Sequence, residues 1–299
     1  MEYVLTVLMN ILSKASFAAQ KQYGILVGQR RPSIMLFLTG NSLFAIIIYG
    51  FLSGWSLGGN ITSVLFGFVY AFVCTASLVV NFRALEKMNL IMISVFDNAT
   101  VVSGWLVGVL FFKEAVAPTS IAAVVLVFLT VIAPLFNREK GSGMKMSLLS
   151  YFIGIIKICV GVVSTVILKL YTGIPSTDSH SQSVMCFYTN VFMIFFIIAI
   201  LLIFASEARG GMGLTGEIKA VRPICVLLLL VSSAVQIPAM LLNMYILKIM
   251  PLSLFTVTNN GVSAVIIYLV SRFVFKEKHD RFELVCCALA TLAVLLTAF

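Results

Sequence analysis

The stretch LIMISVFDNATVVSGWLVGVLFF, from Leu90 to Phe112, is long and apolar enough to cross a lipid bilayer. It nevertheless places the carboxylate of Asp97 beside the amide of Asn98. A charged side chain at the centre of a bilayer costs about 2.5–3.5 kcal/mol on insertion scales, so such residues are rare and are commonly functional. The stretch therefore predicts a membrane-spanning helix in which Asp97 has a role beyond packing.

The whole chain has the composition of a polytopic membrane protein. Of its 299 residues, 61% are hydrophobic and 10% are charged, whereas soluble domains carry about 25% charged residues. The net charge of +9 therefore informs on membrane orientation, because no block of Lys and Arg of the kind that binds DNA occurs. The lipid bilayer is the expected partner, and nucleic acid is not.

Ten segments of the sequence reach the length of about 20 apolar residues that a spanning helix needs. The predicted fold is thus an all-α integral membrane protein with ten transmembrane helices. The predicted spans are residues 3–22, 34–53, 61–82, 90–112, 118–136, 147–171, 184–205, 223–247, 251–275 and 282–299.

The distribution of basic residues predicts the orientation of these helices. Fifteen Lys and Arg residues fall in the connections 1–2, 3–4, 5–6, 7–8 and 9–10, and three (Lys113, Lys169 and Lys248) fall in the alternate connections. Because cytoplasmic loops carry the excess of Lys and Arg, the first set is placed in the cytoplasm. Both termini are then outside a plasma membrane, for which we expect the bacterial inner membrane.

The two halves of the chain resemble each other in order. SFAAQKQYG (16–24) matches STVILKLYTG (164–173), MLFLT (35–39) matches MCFYT (185–189), NFRALEKM (81–88) matches NMYILKIM (243–250), and FFKEAV (111–116) matches VFKEKH (274–279). Each half contains five predicted helices, an odd number, so the second copy is predicted to be inverted relative to the first. We divide the chain into repeats at residues 1–140 and 141–299.

Short motifs within these repeats resemble a known family. They are Ala84-Leu85-Glu86-Lys87 before the fourth span, Glu114 before the apolar fifth span, and Glu277 before the tenth. With the five-plus-five arrangement, the chain resembles the drug/metabolite transporter superfamily in its EamA-like branch. The resemblance implies a substrate cavity lined largely by helices 1–4 and 6–9, with helices 5 and 10 at the periphery.

Polar residues within the spans are the candidate site. Asp97-Asn98 aligns with Asn259-Asn260 in the second repeat, so the two pairs are predicted to face each other. Lys14 and Lys157 also lie near the middle of predicted spans. Because burial disfavours unpaired charges, we expect Asp97 to pair with one of the two lysines. The other lysine would then suit a substrate carboxylate or phosphate.

Other interpretations of these side chains remain open. Lysines near helix ends extend their ammonium groups to the interface, and Asp97 could form only a helix–helix hydrogen bond. The remaining intramembrane polar residues should include both cavity contacts and interhelical bonds, and among them we expect Tyr188, Asn190 and Gln236 to be site residues.

These features favour a secondary transporter of a small polar metabolite, such as an amino acid or an organic anion. The chain has no P-loop, so the energy would come from a gradient, with proton coupling through Asp97, or from exchange. The family resemblance favours export. Uptake or exchange of a phosphorylated or sugar-linked metabolite remains open, and efflux of cationic drugs is a remote alternative.

An intramembrane enzyme is disfavoured, because the sequence contains neither HExxH nor GxSxG. We expect no cofactor and no metal site, and the six cysteines are predicted to be free thiols inside the spans. The GxxxG pattern at Gly104 and Gly108 usually marks a packing face. It gives only a weak indication of a homodimer.

Overall fold

The computed structural model describes residues 2–27, 31–56, 61–88, 90–115, 118–119, 121–126, 129, 148–207, 223–276, 285, 288–289, 291–293 and 296. Within these residues the regular secondary structure is helical. Eight helices are defined: α1 Glu2–Leu26, α2 Arg31–Leu52, α3 Ile61–Lys87, α4 Leu90–Phe112, α5 Leu148–Thr172, α6 Ser179–Glu207, α7 Pro223–Ile249 and α8 Leu252–Phe273.

Six of these helices contain a segment long and apolar enough to span a membrane. The segments are Ile34–Leu52, Ile61–Asn81, Leu149–Thr172, Ser179–Ile200, Pro223–Ile249 and Leu252–Phe273. Helical backbone satisfies its own hydrogen bonds, which the hydrocarbon core requires. In α4 the apolar part, Ala99–Phe112, is shorter, and α1 carries several polar side chains at buried or half-buried positions.

Eight of the ten predicted spans correspond to α1–α8. The other two, residues 118–136 and 282–299, lie largely outside the described residues. The residues that are described within these two segments are helical. Glu277, which precedes the second of them, also lies outside the described part of the chain.

The helices of the first half pack mainly against those of the second half. The most extensive contacts join α1 to α7, α4 to α8, α3 to α6 and α2 to α6. Smaller interfaces join α3 and α4 to α5, α1 to α8 and α2 to α7. The centre of the bundle therefore lies between the two halves of the chain.

Helices α4 and α8 approach closely because α4 has glycines on the shared face. A Cβ built on Gly104 would lie 2.5 Å from Cγ2 of Thr256, and one on Gly108 would lie 3.2 Å from the backbone nitrogen of Ser253. The GxxxG face of α4 thus packs against α8 within the chain. The weak indication of a homodimer comes from this same face, whose contacts with Thr256 and Ser253 are intramolecular.

Polar side chains tie the start of α8 to two other helices. The Glu114 carboxylate accepts hydrogen bonds from the backbone N–H groups of Leu252 and Ser253, at 2.6 and 2.8 Å. Lys169 on α5 donates to the carbonyls of Leu247 and Met250, each at 2.7 Å. The Glu114 carboxylate thus lies at the N-terminus of α8, where it satisfies free N–H groups and complements the helix dipole.

Candidate functional site

A cavity of about 390 Å³ lies among the helices, and each of α1–α8 contributes to its wall. The wall contains many polar side chains, although the helices that form it are largely apolar. The lining side chains that can donate or accept hydrogen bonds include Ser13, Lys14, Ser16, Gln20, Asn41, Asn81, Asp97, Thr100, Lys157, Asn190, Ser233, Gln236, Asn259 and Asn260. A space of this size accommodates a small metabolite.

An ion pair between α4 and α5 forms one side of this cavity. The Lys157 ammonium donates to Oδ1 of Asp97, and the two side chains are 11% and 20% exposed. The predicted pairing of Asp97 with one of the deep lysines is therefore present, and Lys157 is the partner. The pair is mostly shielded from solvent. Both side chains line the cavity, so a ligand in the cavity can reach both charges.

Lys14, on α1, lines the same cavity and is half-buried. Its ammonium interacts electrostatically with Asp97, which attracts it, and with Lys157, which repels it. Among the described residues that line the cavity, Asp97 is the only carboxylate. The cluster therefore contains two cationic side chains and one anionic side chain.

Asn259 and Asn260 on α8 form hydrogen bonds to two helices of the first half of the chain. The Asn260 amide donates to Oγ1 of Thr100 at 3.0 Å, and Thr100 donates to the Asp97 carbonyl at 2.5 Å. Asn259 accepts a hydrogen bond from the Asn10 amide at 2.9 Å. Both asparagines line the cavity, and they connect α8 to α4 and to α1.

A second polar network joins α1 to α7. The Ser16 hydroxyl lies 2.8 Å from that of Ser232 and donates to Oε1 of Gln236 at 3.0 Å. The Gln20 amide lies 3.3 Å from the Ser16 oxygen and 3.5 Å from Gln236 Oε1. Gln236 is thus both a cavity residue and an interhelical hydrogen-bond partner. Pro238, two residues further along α7, lies inside the helix and removes one backbone donor there.

The remaining predicted residues differ in position. Asn190 lines the cavity, and its amide donates to the carbonyl of Cys186 at 2.8 Å. Tyr188 is not among the described cavity-lining residues; its ring stacks on Phe192 with centroids 6.3 Å apart. Successive residues of a helix are about 100° apart, so Tyr188 lies on a different face of α6 from Asn190. The side chain of Asn98 lies outside the described part of the structure.

Several cavity residues were not singled out from the sequence. On α1 they are Ser13, Ser16, Phe17 and Gln20, whose spacing with Lys14 marks one helical face, and this periodicity was a usable signal. Asn41 accepts a hydrogen bond from Ser233 at 2.5 Å. Thr100 offered no such signal, because a threonine hydroxyl in a helix can also bond its own backbone.

Another part of the cavity lining is aromatic and sulfur-rich. Tyr49, Tyr70, Cys74, Cys186 and Met240 contribute to it. The Tyr70 hydroxyl accepts from Ser164 at 3.4 Å and lies 3.9 Å from the Met240 sulfur. Cys74, Cys159, Cys186 and Cys225 are free thiols, as predicted for cysteines within apolar spans. The cavity therefore offers charged, amide and apolar surfaces to a ligand.

The described residues contain no set of side chains that could together hold a metal ion. No group of three or more His, Cys, Asp or Glu side chains with metal-binding geometry occurs among the described residues. The site instead offers ammonium groups, amides and hydroxyls, which recognise oxyanions and polar substituents.

No protein-family model matches the sequence, and no curated protein matches it. Solved structures do match, in 28 chains. One of them, a crystal structure, superimposes with a TM-score of 0.63 over 97% of this chain and 95% of its own, at 13% sequence identity. At that identity the likeness shows the fold alone, which is helical and shared along nearly the whole chain.

Proposed function

We propose that this protein is a secondary transporter that moves a small polar metabolite across a membrane by alternating access. The observation that carries the proposal is the central cavity, which draws polar side chains from all eight described helices and contains the Asp97–Lys157 ion pair. Intramembrane ionisable residues that face a bundle interior typically belong to substrate or ion pathways. Six helices able to span a membrane surround this cavity.

We propose that the chain consists of two inverted repeats. Helices that correspond between the repeats, α4 and α8, are antiparallel neighbours, since Thr100 contacts Asn260 whereas the later Gly108 is close to the earlier Ser253. In the corresponding pair α2 and α6, the C-terminal end of α2 lies beside the N-terminal end of α6, because His180 Nε2 lies 3.1 Å from the carbonyl oxygen of Ser53. An antiparallel relation between equivalent helices is what inversion requires.

Helix neighbours support the same arrangement. In an inverted repeat, α1, α2, α3 and α4 correspond to α5, α6, α7 and α8. The contact of α1 with α7 then has its counterpart in the contact of α5 with α3, and the contact of α4 with α5 has its counterpart in the contact of α8 with α1. All four of these interfaces are present. The complete proposal is ten transmembrane helices in the arrangement of EamA-like drug/metabolite transporters, with both termini outside the membrane of a bacterial cell.

The proposed substrate carries an anionic group. The cluster of Lys14, Lys157 and Asp97 has an excess of one cationic side chain over anionic ones, which favours a carboxylate or phosphate over a lipophilic cation. The amides and hydroxyls around it favour a substrate with further polar groups, such as an amino acid or another organic acid. Export is the direction that the family resemblance favours, and uptake or exchange is the alternative.

Transport in proteoliposomes tests this proposal. Purified protein is reconstituted, the vesicles are loaded with a mixture of amino acids, organic acids and sugar phosphates, and solute exchange with the labelled outer pool is followed by mass spectrometry. We expect exchange of one chemical group of solutes above that of protein-free vesicles. Exchange equal to that of protein-free vesicles for every solute would refute the transporter proposal.

A further inference from the structure

We infer that a compact anionic group of the substrate and one proton bind together at the cluster of Lys14, Asp97 and Lys157. The anion lies between the two ammonium groups, and the proton is on the Asp97 carboxylate. The inference rests on the proposed function, because it names the substrate group and the coupling at the same cavity. It adds the sign of the coupling: the proton assists binding of the anion and does not compete with it.

The ion pair supplies the reason. In this structure the Lys157 ammonium donates to Asp97, so its charge is already compensated and is not fully available to a ligand. A proton taken from solution onto an Asp97 oxygen neutralises the carboxylate and breaks the charge-assisted bond. Lys157 is then free to bind an oxyanion, as Lys14 is, and both lysines line the cavity.

Repulsion acts in the same direction. An oxyanion next to ionised Asp97 would meet a like charge at short range inside a poorly hydrated cavity, which is unfavourable. Protonation removes that repulsion and changes the nominal charge of the cluster from one positive to two. Because linkage is reciprocal, anion binding must favour protonation of Asp97 by the same factor.

No other described group takes over this role. Lys157 faces Asp97 from α5 and Lys14 from α1, whereas α8 presents the amides of Asn259 and Asn260 and the hydroxyl of Thr256. From α3, the titratable cavity side chains are the phenol of Tyr70 and the thiol of Cys74. Phenols and thiols are ordinarily neutral near pH 7, so Asp97 is the described cavity group suited to carry the coupled proton.

This coupling has a consequence for direction. An anion that binds with a proton is driven by a proton gradient from the acidic to the alkaline side. In a cell whose exterior is more acidic than its cytoplasm, the gradient would drive uptake. The inferred coupling therefore favours the uptake alternative over export.

Ligand binding in detergent tests the inference separately from transport. The shift in melting temperature is measured at pH 6 and pH 8 with lactate, L-glutamate and sulfate, whose acidic groups stay ionised over this range. Lactamide is the uncharged counterpart of lactate. L-glutamine lacks the side-chain carboxylate of L-glutamate and keeps its α-carboxylate, so it tests the side-chain group alone. Sulfate distinguishes a general oxyanion site from one restricted to carboxylates. The variants are Asp97→Asn, the pair Asp97→Asn with Lys157→Met, and Asp178→Asn as a matched exposed control.

We expect an anion to stabilise the wild type more at pH 6 than at pH 8, with an affinity gain of up to about tenfold per pH unit for one coupled proton. Asp97→Asn should bind equally at both pH values, and Asp178→Asn should behave as the wild type. Stronger binding at pH 8, pH-independent binding in the wild type, or stabilisation by none of the three anions would overturn the inference. The comparison of the wild type at the two pH values does not depend on whether any variant folds. If the wild type exchanges solute in proteoliposomes but binds the anions equally at both pH values, the inference is refuted and the transporter proposal stands.

Discussion

Lys113 and Lys276 have the same left-handed backbone conformation, with φ of 52° at each, although 163 positions separate them in the chain. Lys113 follows the end of α4, and Lys276 follows the end of α8. Few non-glycine residues adopt positive φ, so its occurrence at both aligned lysines is a structural feature that the two turns share.

Glycine at either turn should be tolerated or stabilising. Lys113→Gly and Lys276→Gly remove the steric cost of positive φ, so we expect changes between zero and about 1 kcal/mol in favour of the folded state. Lys113→Val and Lys276→Val should destabilise, because a β-branched side chain resists this conformation. Thermal unfolding of the purified variants in detergent measures the difference. Equal stability of the Gly and Val variants would contradict the described turn.

The contact of Gly104 with Thr256 should be sensitive to a single methyl group. In Gly104→Ala the new Cβ would lie 2.5 Å from Thr256 Cγ2, so we expect a loss of about 1–3 kcal/mol from overpacking. Thr256→Ser removes that methyl and should restore part of the loss in the double variant. Gly161→Ala, whose Cβ would lie 3.2 Å from Thr100 Cγ2, is the milder control. Additive effects of the Gly104 and Thr256 changes would argue against direct contact.

The Glu114 carboxylate should stabilise the start of α8. Glu114→Ala leaves the N–H groups of Leu252 and Ser253 without their acceptor, and we expect a loss of about 1–2 kcal/mol. Unfolding in detergent again provides the measurement. Lys248→Met, which removes one hydrogen bond to the Thr177 carbonyl at 2.7 Å, is a control that leaves these two donors paired with Glu114. A Glu114 variant as stable as the wild type would show that water replaces the carboxylate.

Thr100 should position α4 beside the ion pair. Thr100→Val removes the hydroxyl that accepts from Asn260, and we expect weaker substrate binding with a smaller effect on maximal rate, since Thr100 acts on the orientation of neighbouring groups. Thr100→Ser keeps the hydroxyl and should restore the wild-type affinity. Concentration dependence of exchange in proteoliposomes separates the two effects. If Ser and Val variants are equally impaired, the methyl group rather than the hydroxyl is responsible.

Helix positions were predictable from the sequence because a spanning helix needs a long apolar run, which short polar connections interrupt. Asp97 was identifiable as a candidate site residue on similar grounds, since a carboxylate is costly within such a run. Neither the length of an apolar run nor the cost of a carboxylate within it depends on how the helices pack.

The partners within the site were less predictable. Whether Lys14 or Lys157 pairs with Asp97 depends on the rotation of α1 and α5 about their axes, which packing determines. Tyr188 is polar, but α6 is apolar on nearly all faces, so its sequence indicates little about which face meets the cavity. The hydroxyls of Ser16 and Thr100 join different helices, and sequence position alone does not reveal such bonds.

The most direct measurement of the central claim is accumulation of the exchanged solute into proteoliposomes, with and without an imposed pH gradient that is acidic outside. For the wild type we predict accumulation only with the gradient. Asp97→Asn should lose accumulation but keep exchange, because the cavity still binds substrate while the coupled proton is absent. Accumulation by Asp97→Asn equal to that of the wild type would contradict the account, and it would leave the carboxylate as a packing group.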